Sequence, residues 1–266
     1  RMCGLGLVAD TTLKAQMGVA ATILGSLGNI DIAAIRKSDI EFYLGERRRS
    51  CKPVTLRGEL NLIRQIMNWA VDEGLLVQKP RMPTVSVPNV EAAMFSDADI
   101  GAALAALPPH IARACKFMAL TGLSPAELSQ LRAGDYDAAT NSIGIGQRAD
   151  FRVKQPSRRR WVPLCEEALA LWHQPTKPFE PPFPRVPAMQ AAMSRARAAG
   201  APAITPKVMR KWFASQVSGS APEHVLQRLL GHAPGSKVTR RHYVRSSDSA
   251  TAAAVVGLSI PQGARA

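Results

Sequence analysis

A proline-bearing stretch at residues 79–95 constrains the architecture of this chain more than any other feature. It reads KPRMPTVSVPNVEAAMF, contains three prolines and shows no helical spacing of its apolar residues, while helical patterns lie on both sides of it. Because proline is poorly tolerated inside a helix, such a stretch is typical of an extended linker. The sequence therefore predicts two domains, 1–78 and 96–266, with 79–95 as the linker.

The segment before the linker is predicted to be entirely helical. Residues 55–73 carry apolar side chains at three- and four-residue steps, which is the pattern of an amphipathic helix. Gly74 follows and is typical of a helix end. Further helices are predicted over 11–27, over 31–35 and from 38 to at least 44.

The segment after the linker combines helices with a small sheet. Ser96 with Asp99, and Ser124 with Glu127, form capping-box patterns that begin helices, and Gly122 ends the helix before the second of them. Short runs between 142 and 164 predict a small three-stranded antiparallel sheet. The three runs are 142–146, 151–154 and 159–164. The remaining helices are predicted over 111–120, 166–171, 188–199, 205–217, 221–230 and 246–256.

The net charge restricts the possible functions of the chain more than its length does. The net charge is +14 with a pI of about 10.3, and it is uneven: residues 1–95 contribute +3 and residues 96–266 contribute +11. A surplus of this size favours a polyanionic partner, with nucleic acid ahead of membrane lipid.

The sequence disfavours several other classes of protein. No apolar run reaches the roughly 18 residues of a membrane span, and no leader-like segment is present at the start of the sequence. The four cysteines are scattered, which argues against a zinc site or a disulfide framework. Apolar residues make up 46% of the chain but aromatics only 5%, a balance that favours helical cores. We therefore expect a soluble, intracellular, mainly α protein.

The last third of the chain gathers side chains suited to phosphodiester chemistry. Arg210 can hold a phosphate with its two-pronged guanidinium, and His232 can carry a proton near neutral pH. Lys207 can supply charge or a proton, and the phenol of Tyr243 could attack phosphorus. Each also has an ordinary structural interpretation: a half-buried tyrosine, a histidine favoured by a helix dipole, or a solvated basic helix face.

Five motifs in order resemble the tyrosine recombinases, the phage-integrase family. Residues 121–131 (TGLSPAELSQL) are similar to the family's Thr-Gly-Leu-Arg-x-x-Glu-Leu-x-x-Leu, and 207–215 (KVMRKWFAS) to its His-x-Leu-Arg-His-x-Phe-Ala-Ser. Residues 229–232 (LLGH) match almost literally. Lys154 with the following Arg-Arg and Val-Pro-Leu resembles the hairpin of the catalytic lysine, and Tyr243 stands near the nucleophile's distance. The resemblance covers nearly the whole chain.

The resemblance implies a fold and a mechanism. The fold is mainly α: an N-terminal all-helical core-binding (SAM-like) domain, then an α-helical catalytic domain with a small three-stranded antiparallel sheet. Tyr243 would form a 3′-phosphotyrosyl bond, Lys154 would protonate the leaving 5′-oxygen, and Arg210, Lys207 and His232 would surround the phosphate. No metal, ATP or other cofactor is implied. Lys154 could instead be a plain hairpin lysine.

The resemblance also implies DNA contacts and partners. The expected partner is double-stranded DNA, bound by a homo-oligomer that would be a tetramer, with accessory DNA-bending or partner recombinase proteins and no membrane. The expected location is the cytoplasm, in association with the nucleoid, as for a bacterial or phage-encoded protein. The predicted DNA-binding residues are Arg47, Arg48, Arg49, Arg158, Arg159, Lys211, Arg240 and Arg241. For Arg47 to Arg49, an ordinary exposed patch is the alternative.

One position departs from the family pattern. Ser124 stands where the family has the first of two arginines on the cleaved phosphate, and losing such a contact costs roughly 3–4 kcal/mol of transition-state stabilisation. Ser124 can instead serve as a helix cap, with Pro125 at the first helical position. Candidate replacement cations are Arg113, Lys116, Arg132 and Arg148. Two other functions stay open: a catalytically impaired architectural or regulatory DNA-binding subunit, and a topoisomerase-like relaxing enzyme.

Overall fold

The computed structural model describes residues 10–28, 30–88, 95–172, 181–233 and 235–236. The chain divides into two compact units, Arg1–Glu91 and Ala92–Ala266, and the boundary between them falls within the proline-bearing segment 79–95. No helix among the described residues has the length and apolar character needed to cross a membrane. The predicted mainly α class is confirmed.

The first unit is helical, as predicted. Its helices are α1 (Asp10–Leu27), α2 (Lys37–Arg48) and α3 (Pro53–Asp72), with a single 3-10 turn at Ile32–Ala34. Helix α3 begins with proline in its first turn, where no intrahelical N–H bond is required. The chain leaves it through Gly74, whose φ of 73° is the left-handed conformation that glycine adopts without strain.

The core of this unit encloses a small hydrogen-bonded polar cluster. Apolar side chains of the three helices surround Tyr43, whose hydroxyl donates to Oε2 of Glu59 at 2.8 Å. Glu59 is only 3% exposed and also forms an ion pair with Arg47 at 2.6 Å. Met82 and Val85 pack against the same core. The early part of the predicted linker is therefore bound to the first unit, although it contains no helix or strand over 80–88.

The second unit is built around the helix α5 (Pro109–Thr121). Phe117 and Met118 on this helix are completely buried, and the helix packs mainly against α7 (Glu166–Leu171) and α9 (Pro206–Ser218). Gly122 ends α5 with φ of 66°, and a Cβ at this position would lie 2.4 Å from the ring of Phe213. The close approach holds the end of α5 against α9. The helices of this unit are α4 (Asp97–Ala105), α5 (Pro109–Thr121), α6 (Pro125–Leu128), α7 (Glu166–Leu171), α8 (Val186–Ala198), α9 (Pro206–Ser218) and α10 (Glu223–Leu230).

A small antiparallel sheet lies between α6 and α7 in the chain. Its strands, β1 (Tyr136–Asp137), β2 (Ser142–Ile145) and β3 (Arg160–Pro163), are ordered β1-β2-β3, with Ile143 opposite Val162. Three strands were predicted, but one was placed wrongly: β1 was missed, and residues 151–154 are not a strand. The backbone of Arg152 bonds instead to the side chain of Gln130, through Arg152 N to Oε1 at 2.8 Å and Nε2 to Arg152 O at 3.1 Å.

Candidate active site

The start of α6 positions the centre of the site. The Ser124 backbone N–H donates to Oε2 of Glu127 at 2.8 Å, and the Glu127 N–H donates to Oγ of Ser124 at 3.3 Å. The predicted capping box is therefore present, and the hydroxyl of Ser124 serves the helix. The same reciprocal bonds direct the Glu127 carboxylate into the protein interior, and the residue is only 3% exposed.

Three guanidinium groups converge on this one carboxylate. Nη1 of Arg160 lies 2.9 Å from Oε1 of Glu127, Nη1 of Arg158 lies 3.3 Å from the same oxygen, and Nη1 of Arg210 lies 3.4 Å from Oε2. Burial alone would raise the pKa of Glu127, but the hydrogen bond and charge of Arg160, with the charge of Arg210, lower it to about 2. The carboxylate is thus ionised at neutral pH, and it balances only one of three positive charges.

Backbone carbonyl groups hold two of these arginines in place. Nε of Arg160 donates to the Leu229 carbonyl at 2.7 Å, so β3 is tied to the end of α10. Nη1 of Arg210, on α9, donates to the Gly122 carbonyl at 2.7 Å, and Nη2 donates to the Leu230 carbonyl. The accepting carbonyls lie at helix ends, where they lack intrahelical partners. Both guanidinium groups are therefore fixed in position and orientation.

His232 lies beside this cluster in a neutral state. Its Nε2 is 3.3 Å from Nη2 of Arg210, and because a guanidinium only donates, the imidazole nitrogen accepts. Burial, then the positive charges of Arg210, Arg158 and Arg160, lower the pKa of His232 to about 4. The interpretation as a charged histidine at a helix end therefore does not hold. A neutral imidazole can instead accept a proton.

Gly231 allows the His232 segment to reach the cluster. Its φ is 63°, and a Cβ there would lie 2.7 Å from Nη1 of Arg160 and 3.0 Å from Cα of Arg158. Only glycine fits this left-handed position against the strand. The Gly-His pair of the sequence motif thus has two roles: the glycine permits close packing, and the histidine carries the titratable group.

Within the described residues, the structure shows no contact of Lys154 or Lys207 with this cluster. Lys154 is exposed in the connection between β2 and β3, and Lys207 is exposed on the first turn of α9. Over the part of the chain that the structure describes, neither side chain forms a hydrogen bond or an ion pair. Tyr243 lies outside the described residues, as does the predicted helix 246–256.

The predicted DNA-binding residues fall into several environments. Arg47 is committed to Glu59 inside the first unit, Arg49 pairs with Glu46 at 3.0 Å, and Arg48 is exposed. In the second unit, Arg159 is exposed and Lys211 is half-buried. Arg240 and Arg241 lie outside the described residues.

Sequence reasoning missed the roles of Glu127 and Arg160. Glu127 was interpreted only as a capping residue, and Arg160 only as part of the hairpin motif. One signal could have found the arginine: Arg160 and Val162 alternate with exposed Trp161 and Pro163 along β3, so Arg160 occupies an inward position. A buried arginine requires an acidic partner. Glu127 is the acidic residue of the motif at 121–131. Within the described residues, no group of three or more potential ligands is placed to bind a metal ion.

Comparisons with known proteins identify the fold. No protein-family model and no curated protein matches the sequence. A structure of a Tn1549 transposon integrase variant in complex with a circular intermediate DNA is similar, with a TM-score of 0.75 at 16% identity over 96% of each chain. A lambda integrase dimer bound to a COC′ core site gives a TM-score of 0.72 at 14% identity, covering 91% of this chain and 92% of that chain.

A further structure shows the same similarity in a larger assembly. The lambda integrase tetramer bound to a Holliday junction gives a TM-score of 0.70 at 14% identity, covering 91% of this chain and 74% of that chain. The chain therefore has the fold of these integrases, and the fold implied by the sequence resemblance is confirmed.

Proposed function

We propose that this chain is an integrase-type site-specific recombinase, a DNA-binding enzyme that breaks and rejoins DNA strands through a 3′-phosphotyrosyl intermediate. The observation that carries the proposal is the surplus of positive charge at Glu127, where three guanidinium groups meet one carboxylate beside a neutral imidazole. Such a site favours an anion that arrives from outside, and a DNA phosphodiester is the anion that the +14 net charge would attract.

The reaction follows from the chemistry of the side chains. The phenolic oxygen of Tyr243 attacks phosphorus and forms a new P–O bond while the bond to the 5′-oxygen breaks. When the phosphate binds, its negative charge offsets the positive charges that lower the pKa of His232 and draws the Arg210 guanidinium to itself, so the imidazole accepts the phenolic proton. Lys154 donates a proton to the leaving oxygen. Arg210 and Lys207 stabilise charge on the non-bridging oxygens. The phosphotyrosyl ester retains the energy of the broken bond, so rejoining needs no nucleotide cofactor.

The proposal extends to organisation and partners. We assign residues 1–78 to core DNA binding, 79–95 to the linker and 96–266 to catalysis, with duplex DNA as the partner. The lambda integrase structures contain a dimer and a tetramer on DNA, which supports a homo-oligomer of this chain on its target. Accessory DNA-bending proteins and a cytoplasmic, nucleoid-associated location complete the proposal. Contacts from Arg48, Arg159, Lys211, Arg240 and Arg241 to phosphates would supply the affinity.

A covalent-adduct assay tests the proposal. A duplex bound by the full chain is first selected from a random library, then nicked near the cleaved position so that the released strand cannot be rejoined. The parent chain should form a protein–DNA adduct that survives denaturing electrophoresis, and Tyr243→Phe should form none while binding the duplex about equally well. An adduct that persists in Tyr243→Phe would exclude this nucleophile.

Two results would favour the other functions. Tight binding of the selected duplex without any adduct from the parent chain would identify an architectural or regulatory subunit. Relaxation of supercoiled plasmids that lack the selected sequence, at the rate seen for plasmids that contain it, would identify a relaxing enzyme.

A further inference from the structure

The motif resemblance implies two arginines on the cleaved phosphate, and the motifs of this chain supply only one of them, Arg210. The motif around 121–131 resembles one in which position 124 is an arginine, but here the Ser124 hydroxyl accepts the Glu127 N–H and carries no charge. We infer that Arg158, from the connection between β2 and β3, supplies the second guanidinium on the cleaved phosphate. This inference rests on the proposed function, because it concerns the same site.

The arginines suggested by sequence are engaged elsewhere. Arg113 donates to the carbonyls of Leu171 and Pro182, at 3.0 and 2.6 Å, and its guanidinium lies over the Phe183 ring. Arg148 bonds to Asp135, Asp150 and the Gln130 carbonyl, and Arg132 forms an ion pair with Asp150 at 2.8 Å. Lys116 is exposed on α5. These contacts hold the three guanidinium groups in structural networks.

Arg158 differs from its two neighbours in how firmly it is held. Its side chain is 23% exposed, compared with 3% for Arg160 and 6% for Arg210. Its one side-chain hydrogen bond within the described residues is the 3.3 Å contact with Glu127, which already receives the shorter bond from Arg160. A partly exposed ion pair of this length contributes little stability, so exchange of Glu127 for a phosphate oxygen is inexpensive.

The backbone of Arg158 is nevertheless anchored at the site. Its carbonyl accepts a hydrogen bond from Nη1 of Arg160 at 3.0 Å, and its Cα lies in close contact with Gly231. Arg158 is also close enough to His232 for its charge to lower the pKa of the imidazole. Arg158 thus combines a fixed Cα beside His232 with a weakly bound guanidinium. A phosphate clamp requires this arrangement, because the guanidinium can close on the anion without backbone movement.

A binding experiment tests the contact independently of catalysis. The duplex selected by the full chain is prepared with a neutral methylphosphonate at each phosphate of the central segment in turn, and affinities are measured for the parent chain, Arg158→Gln and Arg152→Gln. Arg152 is an exposed arginine of the same connection and serves as the charge-matched control. On the ordinary duplex, Arg158→Gln should bind about tenfold more weakly than the parent. At one methylphosphonate position this difference should disappear, whereas the effect of Arg152→Gln should be the same at every position.

An adduct measurement then tests the catalytic consequence on the nicked duplex. Arg158→Gln should slow adduct formation by about 100- to 1,000-fold, the effect of removing one donor from a developing oxyanion, and Arg152→Gln should change it by about twofold or less. Ser124→Arg should change the rate of adduct formation little in the parent chain. In the Arg158→Gln background it should raise that rate by about tenfold or more. Arg158→Lys, which keeps the charge without the fork, should lie between the parent and Arg158→Gln.

The outcomes separate this inference from the proposed function. If the parent chain forms no adduct, the proposed function fails, and the methylphosphonate comparison still decides whether Arg158 contacts a particular phosphate. An affinity loss for Arg158→Gln that is identical at every methylphosphonate position overturns the inference. Equal adduct rates for the parent and Arg158→Gln overturn it as well, even if Tyr243→Phe is inactive.

Discussion

Nη1 of Arg160 lies 2.9 Å from Oε1 of Glu127, and the two side chains are only 3% and 4% exposed. The pair joins β3 to the start of α6, and the same carboxylate also receives Arg210 from α9. A buried ion pair of this kind adds modest net stability, but removing one partner leaves the other charge uncompensated in a poorly solvated interior. The Glu127 carboxylate is therefore required for Arg160 and Arg210 to be buried together.

The first prediction concerns Glu127→Gln. The amide retains the shape but cannot neutralise Arg160 and Arg210, so the free energy of unfolding of the second unit should fall by about 3–5 kcal/mol. Urea unfolding followed by circular dichroism measures the loss. Glu167→Gln, an exposed carboxylate on α7, is the control and should change stability by about 0.5 kcal/mol or less. Similar stabilities for the two variants would show that Glu127 does not hold the cluster.

The second prediction concerns Gly231→Ala. The alanine would require a left-handed backbone at φ of 63° and would place its methyl group 2.7 Å from Nη1 of Arg160. Stability should fall by more than about 1 kcal/mol, and adduct formation should decrease because Arg160 must move. The control is Gly101→Ala in α4, where no atom lies near the new methyl group and the change should stabilise the helix by about 0.5–1 kcal/mol. A stable and active Gly231→Ala would contradict the close packing.

The third prediction is a pH dependence set by His232. The folded chain lowers the pKa of this imidazole from 6.5 to about 4, so between these values the unfolded chain binds more protons. This contribution to stability is therefore complete above about pH 6.5, decreases as the pH falls and is lost below about pH 4. Urea unfolding at several pH values should show a shallower decline for His232→Gln than for the parent over this window. Coincident profiles would place His232 in an ordinary solvated environment.

The fourth prediction is a strong salt dependence of DNA binding. If about six phosphates are neutralised, the logarithm of the binding constant should decrease with the logarithm of salt concentration at a slope of roughly −5. Fluorescence anisotropy with a labelled duplex, titrated between low and moderate salt, measures the slope. A slope near zero would exclude an electrostatic interface, despite the +14 net charge.

Local patterns predicted most of the helices because the signals that begin and end them are local. The caps at Ser96 and Ser124 and the left-handed glycines at positions 74 and 122 all operate within a few residues. The error at 151–154 has a non-local cause. Gln130, more than twenty residues earlier, bonds to both backbone groups of Arg152 and takes the place of a neighbouring strand.

The candidate site was only partly predictable for the same reason. Motifs identified Arg210 and His232, and the structure brings them within 3.3 Å of each other. Three arginines, Arg158, Arg160 and Arg210, converge on Glu127 because of the way β3, α6, α9 and α10 pack together. A local sequence pattern carries no information about this packing. Arg47 shows a second non-local contact: it belongs to a basic run in the sequence, and in the structure it forms an ion pair with the buried Glu59.

The bond between Arg160 and the Leu229 carbonyl has a consequence for protein synthesis. Glu127 and Arg160 leave the ribosome well before Arg210 and before the Leu229 and Leu230 carbonyls, which accept from the two buried guanidinium groups. A nascent chain therefore contains most of the arginines of the site before it can arrange them, since domains fold as units. Premature termination ahead of residue 229 should yield a basic polypeptide with general affinity for nucleic acid in which the proposed site is not assembled.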